Sequence, residues 1–404
     1  MVQEHTGPVG IVIAGAGARG AYEAGVLSVV LPWLVRNETP PKIMVGTSAG
    51  AMNTALFGAL CRPDDVLRGV EVALEVWRGI GREDVFRSVV LSGPVTLARY
   101  LTSVTGLASV LPGPFGDDGL TSMLNVAPLR RTIEGFGHWA DLHETVRAGY
   151  LSAVAAVTTS VGTSTTDVFV ESTPGFPQPA DDADRAVRYR HSEIGPDQVL
   201  ASSAIPIAFP PVQLGQEWHL DGGIRLNAPI KPALELGAAR LVVVATHPVS
   251  ASGGTTLPPA ASGESVAPPD VFTAGATVLD AALIDRMVED VRSLDRVNRL
   301  VASGARSSEY RYVPYVFVGP PRRDSIASIA KEVLDRRYGG LRGMFAGDYT
   351  LLNRLVGGTV RTHGELLSFI LFDSEFIERC IGLGQSDAAV ALAADGTNLL
   401  QPAT

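Results

Sequence analysis

The sequence predicts an α/β fold built on a central, mostly parallel sheet, and three observations carry that reading. The first sixty residues alternate strand, glycine turn, helix, strand, glycine turn and helix. Short runs rich in β-branched residues recur at 151–158 (LSAVAAVT), 166–171 (TDVFVE) and 241–246 (LVVVAT). Beyond residue 276, apolar residues fall three and four apart, which is helical spacing. Strands that alternate with helices pair in parallel through right-handed crossovers.

Each element follows from local pattern. Gly10–Ala14 (GIVIA) is a buried parallel strand, because it is continuously apolar and ends in glycines. Residues 20–35 form a helix apolar on most faces, which Pro32 ends or kinks. Ile43–Val45 is the second strand and 49–61, rich in small residues, the second helix. Residues 64–91 read as helical. The stretch 92–125 is broken by Gly and Pro and carries one charge, Arg99, between Ser92 and Gly116, so it reads as a lid-like insertion or as buried helices under a loop. A short element at 200–211 is ended by prolines, and 212–220 leads into Asp221-Gly222-Gly223. The composition breaks at 248–270, where Pro, Gly, Ser, Ala and Thr dominate, as in a linker. An amphipathic helix follows at 276–302, a strand at 312–318, and a last helix opened by Asp373-Ser374-Glu375. The implied organisation is one domain over 8–250 with 92–125 inserted, a linker at 251–270, and a mostly helical extension over 271–404.

Composition removes several classes. The chain has 404 residues, of which 46% are hydrophobic and 19% charged, so it has the apolar material for a large core and is not a disordered polymer. A net charge of −9 argues against nucleic acid as a partner. Two cysteines are too few for a disulfide framework or a zinc site, which points to a reducing, cytoplasmic setting. The first residues lack the basic flank of a signal peptide, and no apolar run is long enough to span a bilayer.

Three motifs carry chemistry. Gly15-Ala16-Gly17-Ala18-Arg19-Gly20 is formally G-x-G-x-x-G between a strand and a helix, the dinucleotide-binding context. That reading also requires an acid at the end of the second strand, where the sequence has Val45-Gly46-Thr47-Ser48. A glycine loop at a helix start offers unpaired N–H groups that suit an oxyanion equally well. Gly46-Thr47-Ser48-Ala49-Gly50 is G-x-S-x-G between strand and helix, the setting of a nucleophile elbow. Asp221-Gly222-Gly223 taken alone is an ordinary turn.

A serine hydrolase normally takes its serine proton with a histidine. After Asp221 the chain has only His247, beside Pro248, and His363, in a polar turn, and neither sits in a catalytic context. His219 shares a strand face with Asp221 and reads as a structural partner. These mismatches favour a carboxylate as the direct base.

The ordered series GAGARG, GTSAG, Ala201-Ser202-Ser203-Ala204-Ile205-Pro206 and DGG resembles the patatin-like phospholipase family. Asn227-Ala228-Pro229, the segment Leu124–Arg130 and the segment Ser368–Asp373 share the likeness, which covers roughly 8–250. The resemblance implies a three-layer α/β/α sandwich and a serine–aspartate dyad. It assigns Ser48 as nucleophile, Asp221 as its base, and the amides of Gly15, Ala16, Gly17, Ala18, Arg19 and Gly20 as an oxyanion hole. Gly46, Thr47, Ala49 and Gly50 would shape the elbow, and Gly222 and Gly223 the turn after the base. The implied reaction is acyl transfer from a lipid ester to Ser48 and then to water, without metal or organic cofactor.

Ala16 departs from the family, where glycine is usual; with φ > 0 there, alanine would cost on the order of 1 kcal/mol or more. Arg19 is a candidate for a phosphate head group or for a salt bridge that fixes the loop. The expected partner is a lipid or acyl ester, met at an apolar patch with peripheral membrane contact. Two other readings stand beside this one: a dinucleotide-dependent oxidoreductase, and a non-catalytic lipid-binding scaffold.

Overall fold

The computed structural model describes residues 7–85, 87–88, 124–206, 208–249, 286–303, 311–338 and 362–400. The lid-like insertion, apart from its last two residues, and the linker lie outside them. The architecture is the expected one: a mostly parallel sheet with helices on both faces and a helical C-terminal region.

Strand β1 (Val9–Ile13) enters through a glycine turn into α1 (Gly20–Arg36), and β2 (Pro41–Thr47) turns sharply into α2 (Ala49–Leu60). Helix α3 (Val66–Gly79) follows, then the two-residue strands β3 (Arg87–Ser88) and β4 (Leu124–Asn125), which pair antiparallel. Helices α4 (Ala127–Glu134) and α5 (Trp139–Arg147) lead to β5 (Ala153–Ser160), β6 (Thr166–Ser172) and β7 (Val187–His191). Next come α6 (Pro196–Ser202), the hairpin β8 (Val212–Leu214) and β9 (Glu217–Asp221), α7 (Ile230–Glu235) and β10 (Arg240–Val244). The C-terminal region contributes α8 (Arg286–Ala302), β11 (Tyr315–Val318), α9 (Ser325–Tyr338), α10 (Thr362–Ile370) and α11 (Ser374–Asp395).

The main sheet runs β11-β10-β1-β2-β5-β6-β7, with β9 joined to the upper half of β5 and β8 to β9. From β11 to β5 every pairing is parallel; β6 and β9 run antiparallel to β5. Side chains alternate between faces. Ile11, Ile13, Met44 and Val154 pack with α1, α2 and α11, whereas Val12, Ile43, Val45 and Val243 pack with α7 and α8. That alternation makes three layers.

One sequence expectation changes here. Pro32 does not end its helix, since α1 continues to Arg36. The strand expected at 312–318 is present as β11, an edge strand paired along β10 from Leu241 to Val244. Helix α11 lies against α1 at glycine contacts: a Cβ on Gly25 would sit 2.2 Å from the Ile381 carbonyl oxygen, and one on Gly384 2.1 Å from that of Tyr22. The start of α11 is as expected, with Asp373 accepting from the N–H of Glu375 (2.9 Å) and Phe376 (3.3 Å).

Candidate functional site

Ser48 stands between the end of β2 and the start of α2 with φ +56° and ψ −125°. A side chain rarely adopts that conformation, and surrounding contacts have to hold it. The flanking glycines permit the turn. A Cβ on Gly46 would meet the Gly50 carbonyl oxygen at 2.1 Å, and one on Gly50 would meet that of Ile13 at 2.4 Å. Ser48 is almost fully buried and stands at the N-cap position of α2, at the positive end of its dipole, without a capping bond from its side chain.

Strand β5 brings the second group alongside. Its Val157 is the register partner of Thr47, and its Thr158 that of Asp221 at the end of β9. Asp221 is therefore one strand away from the elbow, at the same level of the sheet. Its Oδ1 accepts from the Gly223 N–H at 2.7 Å. Oδ2 is buried without a closed hydrogen bond among the described residues. Burial pushes the carboxyl up to about 7, while the nearby Ser48 hydroxyl and the Gly223 N–H favour its ionised form. Gly222 is required here, since a Cβ would lie 2.3 Å from the Val157 carbonyl oxygen.

The segment 201–206 ties both groups down. Ser202 Oγ accepts from the Ser48 N–H at 2.8 Å and donates to the Val157 carbonyl at 2.6 Å. The N–H of Asp221 donates to the Ala204 carbonyl at 2.9 Å, and Thr159 Oγ1 donates to the Asp221 carbonyl at 3.0 Å. Ser202 was legible as part of a supporting segment, but its individual role was not.

The glycine loop divides into engaged and open donors. The N–H of Gly15 donates to Asn227, to Oδ1 at 2.8 Å and to the carbonyl at 3.2 Å, which removes it from the expected oxyanion donors. Arg19 N–H is taken by the Ala16 carbonyl and that of Gly20 by Gly17 and Ala18. The N–H groups of Ala16, Gly17 and Ala18 have no acceptor among the described residues. Ala16 has φ −144°, so alanine is unstrained there, and the left-handed residue is Gly17 at φ +56°. A Cβ on Gly17 would also lie 2.5 Å from the Phe369 carbonyl oxygen.

Arg19 takes the salt-bridge reading. Its fully buried side chain donates to Ser368 Oγ (2.6 Å), the Glu365 carbonyl (2.9 Å) and the Glu365 carboxylate. It also meets His247 Nε2 at 2.7 Å and lies 4.2 Å over the Phe369 ring. Burial and the Arg19 charge push His247 down to about 4, so its ring is neutral and accepts from Arg19. His247 is thus a structural partner, as is His219, whose Nδ1 meets Thr158 Oγ1 at 2.9 Å. The dinucleotide reading of the glycine loop is not supported: β2 ends on Thr47 without a carboxylate. Asp167, Glu217 and His219 cluster as a cation site would, yet Arg188 and Arg190 already pair with both carboxylates.

A narrow apolar pocket of about 30 Å³ opens beside the elbow. Gly17, Ser48 and Ser203 line it together with Met52, Trp77, Ile80, Leu129 and Phe372. Among the described residues no helix is long and apolar enough to cross a membrane.

A strained serine at a strand–helix elbow, a buried carboxyl one strand away and an apolar pocket lie together in an α/β/α sandwich. The family model for patatin-like phospholipase matches residues 11–234, more than half of the chain, and the chain belongs to that family. Membership supports a lipid hydrolase with a lipid substrate. Among solved structures, the chain is similar to VipD from Legionella pneumophila, at 10% identity and a TM-score of 0.35 over 96% of this chain and 67% of that one. It is also similar to human GIVD cytosolic phospholipase A2 in complex with methyl gamma-linolenyl fluorophosphonate. There the identity is 14% and the TM-score 0.42, over 99% of this chain and 60% of that one. No curated protein matches the sequence.

Proposed function

We propose that the protein hydrolyses lipid acyl esters through a Ser48–Asp221 dyad. The observation that carries the reading is the juxtaposition across β5 of a strained, buried Ser48 with Asp221, whose Oδ2 is open. Asp221 takes the hydroxyl proton as Ser48 Oγ attacks the ester carbonyl, then hands it to the departing alkoxide as the tetrahedral intermediate collapses, so that the alcohol leaves, an acyl-enzyme remains and the carboxylate is restored. Water, activated by the same carboxylate, then releases the fatty acid and restores Ser48. A carboxylate is a weak base for a hydroxyl, so proton transfer accompanies attack and much of the barrier reduction falls to the oxyanion donors. The open N–H groups of Ala16, Gly17 and Ala18 fit that role, and removal of one such donor typically costs about 3–4 kcal/mol. The apolar pocket takes the acyl chain.

Incubation with a total lipid extract, with released fatty acids identified by mass spectrometry, tests this reading. Release by the wild-type chain and its loss in Ser48→Ala is the expected result. Equal release by both rejects the dyad, and no release from any lipid class returns the scaffold reading.

A further inference from the structure

We propose that Trp77 is the specificity-determining residue of the pocket, a fixed wall that limits the length of acyl chain it accepts. The inference rests on the reading of the pocket as an acyl site.

Trp77 is fully buried, lines the pocket together with Ser48, and comes from α3, outside the motifs at 15–20, 46–50 and 221–223. Its indole N–H donates to Asn53 Oδ1 at 2.8 Å. An indole N–H can only donate, so the amide oxygen of Asn53 must face it and the amide nitrogen must face away. That nitrogen donates to the Gly20 carbonyl at 3.0 Å and to Glu23 Oε2 at 3.1 Å. The ring is thus tethered to the first turn of α1, directly after the glycine loop.

The ring is also blocked from behind. A Cβ on Gly20 would fall 2.6 Å from Trp77 Cη2 and 2.9 Å from the Ala49 Cβ, so the indole edge rests against the backbone of α1. A wall held by a hydrogen bond on one side and by backbone on the other does not yield to a longer chain. Because the residue behind it is glycine, truncating the indole leaves a space that no side chain of Gly20 can cover, and that space extends the pocket.

The test separates binding from hydrolysis. Calorimetry with free octanoate and free laurate is performed on Ser48→Ala and on Ser48→Ala combined with Trp77→Ala, with folding checked by circular dichroism. Truncation is expected to raise the laurate-to-octanoate affinity ratio by roughly tenfold or more, the size of effect that methylenes have in a fitted pocket. An unchanged ratio in the folded variant overturns the proposal. If the alanine variant does not fold, Trp77→Leu carries the same test, with a shift in the same direction expected and an unchanged ratio overturning it.

With Ser48 intact, kcat/KM for p-nitrophenyl octanoate and laurate should show the same change of ratio. A shifted binding ratio in a protein that hydrolyses neither ester and releases no fatty acid from a total lipid extract supports the Trp77 wall and rejects the hydrolase reading. Hydrolysis with unshifted ratios does the reverse.

Discussion

The backbone N–H of Ser48 donates to the side chain of Ser202, 154 residues away, at 2.8 Å, and the Ser202 hydroxyl in turn donates a hydrogen bond to the Val157 carbonyl at 2.6 Å. This pairing fixes the strained elbow to β5, the strand that also carries the register partner of Asp221. Ser202→Ala would leave a buried N–H and a buried carbonyl without their partner, at a cost of about 1–3 kcal/mol in stability. As the loss falls on the backbone of the proposed nucleophile and not on the pocket, kcat should drop while KM changes little. Chemical denaturation and steady-state kinetics on one acyl ester check both effects.

The ionisation of Asp221 sets two opposite pH dependences. As the proposed base it must be unprotonated, so kcat/KM should rise with pH through about 7, where burial places the carboxyl. Stability runs the other way. The folded-state pKa lies above the unfolded value of 3.8, so the native state holds the proton more tightly between the two. This group's penalty is therefore absent below about pH 4, grows as pH rises, and is complete above about pH 7, with an upper bound of about 4 kcal/mol. Asp221→Asn should be inactive yet gain stability relative to wild type between pH 4 and pH 8, as read by urea titrations at the two pH values.

The Arg19–Glu365 pair fastens α10 to the glycine loop. Both side chains are buried, and Arg19 keeps no route to water if the carboxylate is removed. Glu365→Gln should therefore destabilise the fold by about 3–5 kcal/mol, the cost of stranding a buried charge. A lowered thermal midpoint that 1 M salt does not reproduce in the wild type would distinguish this pair from a surface ion pair.

The α1–α11 contact is tested by Gly25→Ala. The new methyl would stand 2.2 Å from the Ile381 carbonyl oxygen, with backbone on both sides, so the helices must separate. Overpacking of this kind costs about 1–3 kcal/mol. Denaturation midpoints of Gly25→Ala and of the exposed control Gly79→Ala, where a Cβ meets nothing within 4 Å, make the comparison.

The parts of the molecule that were legible in the sequence are those fixed by local chemistry. Glycines at 46 and 50 announce the elbow because only they fit beside neighbouring backbone, and GIVIA announces a strand buried on both faces. Asp373 signals the start of α11 by its own side chain. What stayed hidden depends on distant partners. Nothing around Gly15 says that Asn227 occupies its N–H, which is why the proposed oxyanion donors are Ala16, Gly17 and Ala18 and not all six residues of the loop. Nothing around Arg19 says that Glu365, 346 residues further on, will neutralise it. Pro32 is tolerated within α1 although local rules place it at an end or a kink. Trp77 was read as one residue of a helical stretch, since its place in the pocket requires Gly20 and Asn53 to be brought together first.

The central claim is that Ser48 is a nucleophile activated by Asp221, and labelling by a fluorophosphonate probe with the modified peptide located by mass spectrometry tests it most directly. The account predicts a single adduct on Ser48 in the wild type and none in Ser48→Ala. In Asp221→Asn the labelling rate should be lower by about a hundredfold or more. Labelling of another residue, or equal labelling rates in wild type and Asp221→Asn, would contradict it.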